Sequence, residues 1–408
     1  MTADAGLKVV RLGARGDGIA ETAQGERYLP FALPGECVRA AAGGGLPELL
    51  SAPSPERRPP RCRHFGVCGG CVAQHMGEHL YADWKRGMLE DALHKRGLRA
   101  ELAPLSSIAA GSRRRAVLTG RCVKGESLLG YHPRNSDAIF ELLECPVLVP
   151  EIVAALPALR ALTAAIGAHE VRLTVLATAT GLDVAIASGR GGLDGKRAAR
   201  LAQIAAAEPR LARLTLNGDA IAQRSAPVLG FAGVEVSPPP GAFVQAVAAA
   251  EGAIAEEVKA ATAKVRRVAD LFCGVGTLTF RLARAAAVAA YDSDAAALAA
   301  LRAAARHAKG LKPIEAKLRD LMREPLSARE LDGFDAVVFD PPRAGATAQA
   351  AALARSRVPI VVAVSCHPGT LARDLRILVD GGYQLERVLP IDQFLFSAHV
   401  EAVAYLKR

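Results

Sequence analysis

From about residue 246 onward the chain alternates helix-like and strand-like segments without a break, and few architectures accept such a series. Residues 246–263 repeat apolar side chains at helical spacing. "VRRVADLF" then reads as a strand, "GTLTFRLARAA" as a helix, "AVAAYD" as a strand and "DAAALAALRAAARHA" as a helix. "IEAKLRD", "FDAVVFDPP" and "VPIVVAVSC" continue the strands. The pattern predicts a Rossmann-like, doubly wound α/β sheet. The end, "YQLERVLPIDQFLFSAHVEAVAYLKR", has no helix between its two strands and predicts an antiparallel hairpin at the sheet edge.

"VSPPPGAF" at 236–243 marks where this series begins. Ahead of it the pattern differs. Residues 8–40 hold short alternating apolar runs divided by glycine turns, the mark of a small β-barrel. A proline-rich basic linker, "SAPSPERRPP", precedes a group of cysteines, and residues 78–97 read as a helix that could pack on the catalytic unit. Segments 113–148 and 171–236 read as hairpins, with a helix over 195–207. A chain of 408 residues exceeds one ordinary core. Three units follow: 1–52, a barrel; 53–240, a central α+β unit; and 241–408, the doubly wound sheet.

Lysine and arginine number 51 against 41 acidic residues, a net charge of +10 that suits a polyanionic partner. No apolar run approaches the roughly 20 residues that cross a bilayer, and Asp4 opens the chain where a leader would be basic and then apolar. The expectation is a cytoplasmic monomer, with no membrane partner and with reduced thiols.

Reduced thiols make cysteine spacing informative. "CRHFGVCGGC" places Cys62, Cys68 and Cys71 close together, and "LECPVL" supplies Cys145. Two glycines between Cys68 and Cys71 let both sulfurs point at one centre. Four thiolates fit an iron–sulfur cubane or a structural zinc. A triplet plus a lone distant cysteine, unlike two paired motifs, favours [4Fe–4S].

In "VADLFCGVGTLTF" a strand meets a helix through Gly274 and Gly276, and the next strand ends at Asp292. Glycines allow a ligand to approach the backbone, and a carboxylate at that place suits a ribose diol. The dinucleotide pattern G-x-G-x-x-G is incomplete, which argues for S-adenosylmethionine. Asp320 is a candidate for the adenine side, and Phe272 either packs in the core or lines the adenosyl pocket. Asp292 and Asp320 equally suit helix N-caps. In "VVFDPPRAG", Asp340 ends a buried strand and the two prolines stiffen its exit.

Cys366 ends the next strand, in "VSCHPGTLARDL". The helix start after it, with His367 and Arg373, is expected to favour a thiolate. Glu401 lies on the last strand. A nucleophilic cysteine, a carboxylate and a methyl donor together suit methylation at C5 of a pyrimidine. Thiolate addition at C6 makes C5 nucleophilic, and a base then removes the C5 proton.

"LGARGDGIA…LPGECV", the cysteine loops, "GAFVQA", "DLFCGVGT", "DPPRAG", "VSCHPGTLARDL" and "HVEAV" together resemble the RNA uracil-5 methyltransferases that carry a TRAM domain and a [4Fe–4S] cluster. The resemblance covers nearly the whole chain. It implies that Gln245, Phe272, Asp292 and Asp340 contact the cofactor, that Cys366 is the nucleophile and Glu401 the base, and that Arg114 and its neighbours in "GSRRRAVL" face RNA. It also implies rRNA, with 23S rRNA ahead of tRNA. Val247 and His307 stand where the family often has asparagine, and "AAGGGLPELL" replaces a final basic barrel strand. Arg57, Arg58, Arg61 and Arg63 form a second basic cluster expected to meet RNA. The competing readings are an RNA cytosine-5 methyltransferase and a non-catalytic iron–sulfur RNA-binding protein.

Overall fold

The computed structural model describes residues 6–408 except 42–44, 124–125, 168 and 190–193. The opening residues read for a leader, residues 42–44 of "AAGGGLPELL" and the tip of the 113–148 hairpin thus lie outside the described residues.

The large sheet has eight strands. In chain order they are β1 (Glu101–Leu102), β2 (Arg267–Leu271), β3 (Ala287–Asp292), β4 (Ile314–Leu318), β5 (Ala336–Phe339), β6 (Ile360–Ser365), β7 (Gln384–Ile391) and β8 (Glu401–Lys407). Their spatial order is β4-β3-β2-β5-β6-β8-β7-β1. The five strands from β4 to β6 run parallel, β8 pairs antiparallel to β6, and β7 and β8 form the expected hairpin. The hairpin is not the outermost pair, because β1 adds in parallel to β7 at Arg387–Val388.

Alternate residues of each strand face opposite ways, so each face has its own core. Val268, Val288, Val338, Val362 and Val403 point to one face, which α2 (Ala248–Ala261) and α3 (Ala295–His307) cover. Leu229, Phe231, Val234 and Val236, from a short hairpin ahead of residue 241, pack there too. Ala269, Val337, Val361 and Ala404 point to the other face, under α4 (Pro368–Asp380). The earlier helix, α1 (Glu78–His94), brings Leu89 and Leu93 into that same core.

The N-terminal residues form two three-stranded sheets around Val9, Ala20, Leu29 and Val38. The strand Glu48–Leu49 closes one of them, so one acidic and one apolar residue stand where the family resemblance has a basic strand. The central segment builds a six-stranded sheet with helices Leu156–Ile166 and Gly195–Ala207 on it. The second helix crosses over between parallel strands Gly181–Ser188 and Leu211–Leu216. Among the described residues, no helix is long and apolar enough to cross a membrane.

Candidate active site

A parallel sheet gathers its ligand contacts at the carboxyl ends of its strands. Here that edge opens on a cavity of about 590 Å³. Phe272 and Gly274 follow β2, Asp292 ends β3, Asp320 lies after β4, and Asp340 follows β5. Cys366 follows β6, and Glu401 begins the antiparallel β8 at the same edge. Gln245, just ahead of α2, completes the wall. Gly276 does not line the cavity. Its φ is +96°, and a Cβ there would stand 2.7 Å from the Phe280 ring, so this glycine serves packing. At Gly274, φ is +54° and the place of a Cβ is open space.

The carboxylates differ in their partners. Asp292 accepts the Gly274 N–H at 2.7 Å and the Asp294 N–H at 2.8 Å, which fixes the glycine turn. The N-cap of α3 is Asp294, not Asp292. Asp320 accepts the Met322 N–H at 3.0 Å, closing a turn rather than a long helix. Asp270 is buried behind the cavity and accepts the Thr279 hydroxyl at 2.5 Å; burial pushes its carboxyl up to about 7. Val247 is buried in the core and makes no wall of the cavity.

The buried Gln245, Gln393 and Glu401 form one row with the half-buried Asp340. Gln245 Nε2 donates to Asp340 Oδ2 at 2.7 Å. Gln393 Nε2 donates to Gln245 Oε1 at 2.7 Å and to Glu401 Oε2 at 2.8 Å. Glu401 Oε1 and Gln393 Oε1 are buried without a hydrogen-bond partner. Burial pushes Asp340 up to about 6. Burial, then the charge of Asp340, raises Glu401 well above the usual carboxylate range.

Cys366 departs from expectation. Burial first, then Glu401 and Asp340, push its thiol up to about 11, against a smaller lowering by Arg343. The expected cations are engaged elsewhere. His367 Nδ1 caps α4 by accepting the Thr370 N–H at 3.2 Å, and Arg373 binds Asp374 at 2.9 Å.

The arginines also separate. Arg114 is interior: Nη2 lies 2.5 Å from Glu251 and Nε donates to Gln245 O, so it braces the wall rather than facing RNA. Its neighbours Arg113 and Arg115 do line the cavity, over the rings of Phe394 and Phe243 respectively. Arg57 is bound to the buried Glu36 at 2.6 Å, and Arg63 to Glu144 at 3.2 Å. Gln393, Phe394, Arg343 and Phe243 are wall residues that the strand pattern did not single out. Only their nearness to "DPP", "GAF" and the final hairpin could have pointed to them.

The cysteine loops meet away from this cavity. The Arg63 N–H donates to Glu144 at 2.7 Å, and Leu143 N–H to His64 Nε2 at 3.2 Å, which brings 62–71 against 143–145. Desolvation pushes the half-buried Cys71 up to about 12, and the charges of Cys68, Cys145 and Cys62 each add to the rise. Among the described residues no three histidine, cysteine or acidic side chains converge closely enough to hold a metal ion.

A family model described as tRNA (Uracil-5-)-methyltransferase matches residues 235–408. An uncharacterized RNA methyltransferase of Brucella suis is 48% identical over 98% of this chain and 97% of its own length. The 23S rRNA (uracil(1939)-C(5))-methyltransferase RlmD of Chromohalobacter salexigens is 33% identical over 100% of this chain and 90% of its own length. The crystal structure of Pyrococcus abyssi tRNA (uracil-54, C5)-methyltransferase with S-adenosyl-L-homocysteine superposes with a TM-score of 0.75, over 98% of this chain and 100% of that one, at 22% identity. The chain belongs to the RNA uracil-5 methyltransferases, a family of S-adenosylmethionine-dependent enzymes.

Proposed function

We propose that the enzyme methylates C5 of one uridine in 23S rRNA, with Cys366 and Glu401 as the reacting groups. Cys366 Sγ bonds to C6 of the splayed base, and C5 then takes the methyl group from the donor sulfonium. Glu401 removes the C5 proton, the C5–C6 double bond re-forms and the cysteine leaves as thiolate. Arg343 favours that thiolate against the two carboxylates.

One observation carries this reading: the amide–carboxylate row ends in two buried, unpartnered oxygens beside Cys366. Gln393 uses its NH₂ on two acceptors, which leaves Oε1 free to accept. A free acceptor suits the N3–H of uracil and opposes the unprotonated N3 of cytosine. The rRNA target draws on the similarity to RlmD over nearly the whole of both chains.

The methyl donor is assigned to the wall of Gln245, Phe272, Gly274, Asp292, Asp320 and Asp340. RNA is assigned to a groove that leaves the cavity at Arg343 and His399 and passes Lys95, Arg15 and Arg134. Cys62, Cys68, Cys71 and Cys145 would hold a [4Fe–4S] cluster. These four thiols lie close enough for Cys71 to feel the charges of the other three, which suits one shared group. Such a cluster, when bound, supplies cross-links between the two loops. The enzyme is read as a cytoplasmic monomer, with TRAM-like unit 1–52, iron–sulfur unit 53–240 and methyltransferase unit 241–408.

The test is a 5-fluorouridine-substituted RNA, whose C5 carries no removable proton. The parent protein should form a covalent adduct with a 23S fragment, and Cys366→Ala none. An adduct with tRNA alone would move the target, and an adduct with Cys366→Ala would reject the nucleophile.

A further inference from the structure

We propose that Lys85 and Asp392 are positioning residues for the reaction: a buried ion pair that shapes the loop 392–399 and so sets Gln393 and Glu401 beside Cys366. The inference rests on the roles given above to Cys366 and Glu401.

Lys85 projects from α1 and is wholly buried, and its Nζ lies 2.9 Å from Asp392 Oδ1. The same Nζ donates to Phe394 O at 3.1 Å and to His399 O. An ammonium has three N–H bonds, and here all three go to one irregular loop. The loop has no ladder of its own to hold it, because it lies between β7 and β8. Asp392 also accepts the Tyr81 hydroxyl at 2.7 Å, and the Tyr81 oxygen accepts the Phe396 N–H at 2.9 Å. Phe396 has φ +60°, a conformation a bulky residue seldom adopts unless it is held. Its carbonyl accepts the N–H groups of Val72 at 2.7 Å and Ala73 at 3.1 Å.

A buried ion pair adds little net stability over well-packed apolar residues. What this pair provides is direction. The three acceptors come from residues 392, 394 and 399, which bracket Gln393 and Phe394 in the cavity wall and stop two residues short of Glu401. A planar guanidinium cannot aim three bonds at such a converging set.

The test uses the full-length enzyme with Lys85→Met, Lys85→Arg and the charge-balanced Lys85→Met/Asp392→Asn, read by amide hydrogen exchange and steady-state kinetics. In the double variant, amides 393–399 should exchange at least about tenfold faster, with 272–274 unchanged. Its kcat should fall by about 10²-fold, with KM for S-adenosylmethionine held within about twofold. Lys85→Arg should not rescue either reading. Unchanged loop exchange, faster exchange with parental kcat, or a double variant that does not fold would each overturn the proposal. Parental turnover by Glu401→Gln would instead reject the base role, while loop exchange would still judge the pair.

Discussion

Asp340 and Glu401, the two carboxylates whose charges raise the Cys366 thiol, are joined through the side-chain amides of Gln245 and Gln393. The row sets the two acids in one orientation while burial keeps both above their ordinary range. Mutual repulsion alone would push them apart. The amides let them share a wall, and Glu401 Oε1 is left without a hydrogen-bond partner.

Glu401→Gln should therefore separate methyl transfer from release. The variant keeps the hydrogen bond to Gln393 but cannot take a proton. Turnover should fall by about 10²–10⁴-fold, and a methylated RNA–protein adduct should accumulate on denaturing gels with ordinary uridine substrate. Parental turnover without that adduct would remove Glu401 from the mechanism.

Gly274→Ala and Gly276→Ala should fail differently. At Gly274 the methyl group enters open cavity, so S-adenosylhomocysteine affinity should drop while the fold loses only about 1–2 kcal/mol from the left-handed backbone. At Gly276 the methyl group meets the Phe280 ring. Stability should fall by about 1–3 kcal/mol beyond the backbone cost. Calorimetric titration and urea unfolding on both variants check this. Equal loss of ligand affinity in two equally stable variants would contradict it.

Asp292→Asn replaces one of two acceptors with a donor that faces either the Gly274 or the Asp294 N–H. S-adenosylhomocysteine should bind about tenfold more weakly, the cost of roughly one lost hydrogen bond. Unchanged affinity by calorimetry would place the ligand elsewhere.

Asp270 holds its proton up to about 7 in the fold, against 3.8 for an unperturbed side chain. Between those values the folded chain keeps a proton that the unfolded chain has released. Unfolding free energy should thus fall as pH rises through this window, by at most about 1.4 kcal/mol per unit for this group, and level off above it. Asp340 adds to the same trend up to about pH 6. Urea midpoints at pH 5 and 8 for the parent and Asp270→Asn test the claim. A slope the variant leaves unchanged would refute it.

Seven of the eight strands were legible because each carries its own pattern, whereas β1, two residues long, was not read. Runs such as "VPIVVAVSC" are apolar throughout, as a strand covered on both faces must be. Cys366, Asp340 and Asp292 were legible because they end such runs. The electrostatics at Cys366 were not, since β8 approaches from the far end of the chain and brings Glu401 with it. Arg114 was misplaced for a similar reason. Its partner Glu251 stands on α2, beyond the predicted boundary, and no local pattern in "GSRRRAVL" distinguishes an inward arginine from its outward neighbours. Lys85 and Gln393 carry no signal in sequence, because what gives them meaning is a contact across more than three hundred positions and a turn between strands.

The outermost strand, β1, and the helix α1 come from residues 78–102, well ahead of the stretch that the family model covers. They complete the sheet edge and supply a core face and the anchor of the 392–399 loop. A fragment cut at residue 235 would thus expose a raw sheet edge and a bare apolar face. Any attempt to transplant this chemistry onto a different RNA-recognition module has to carry that earlier helix and strand along with it.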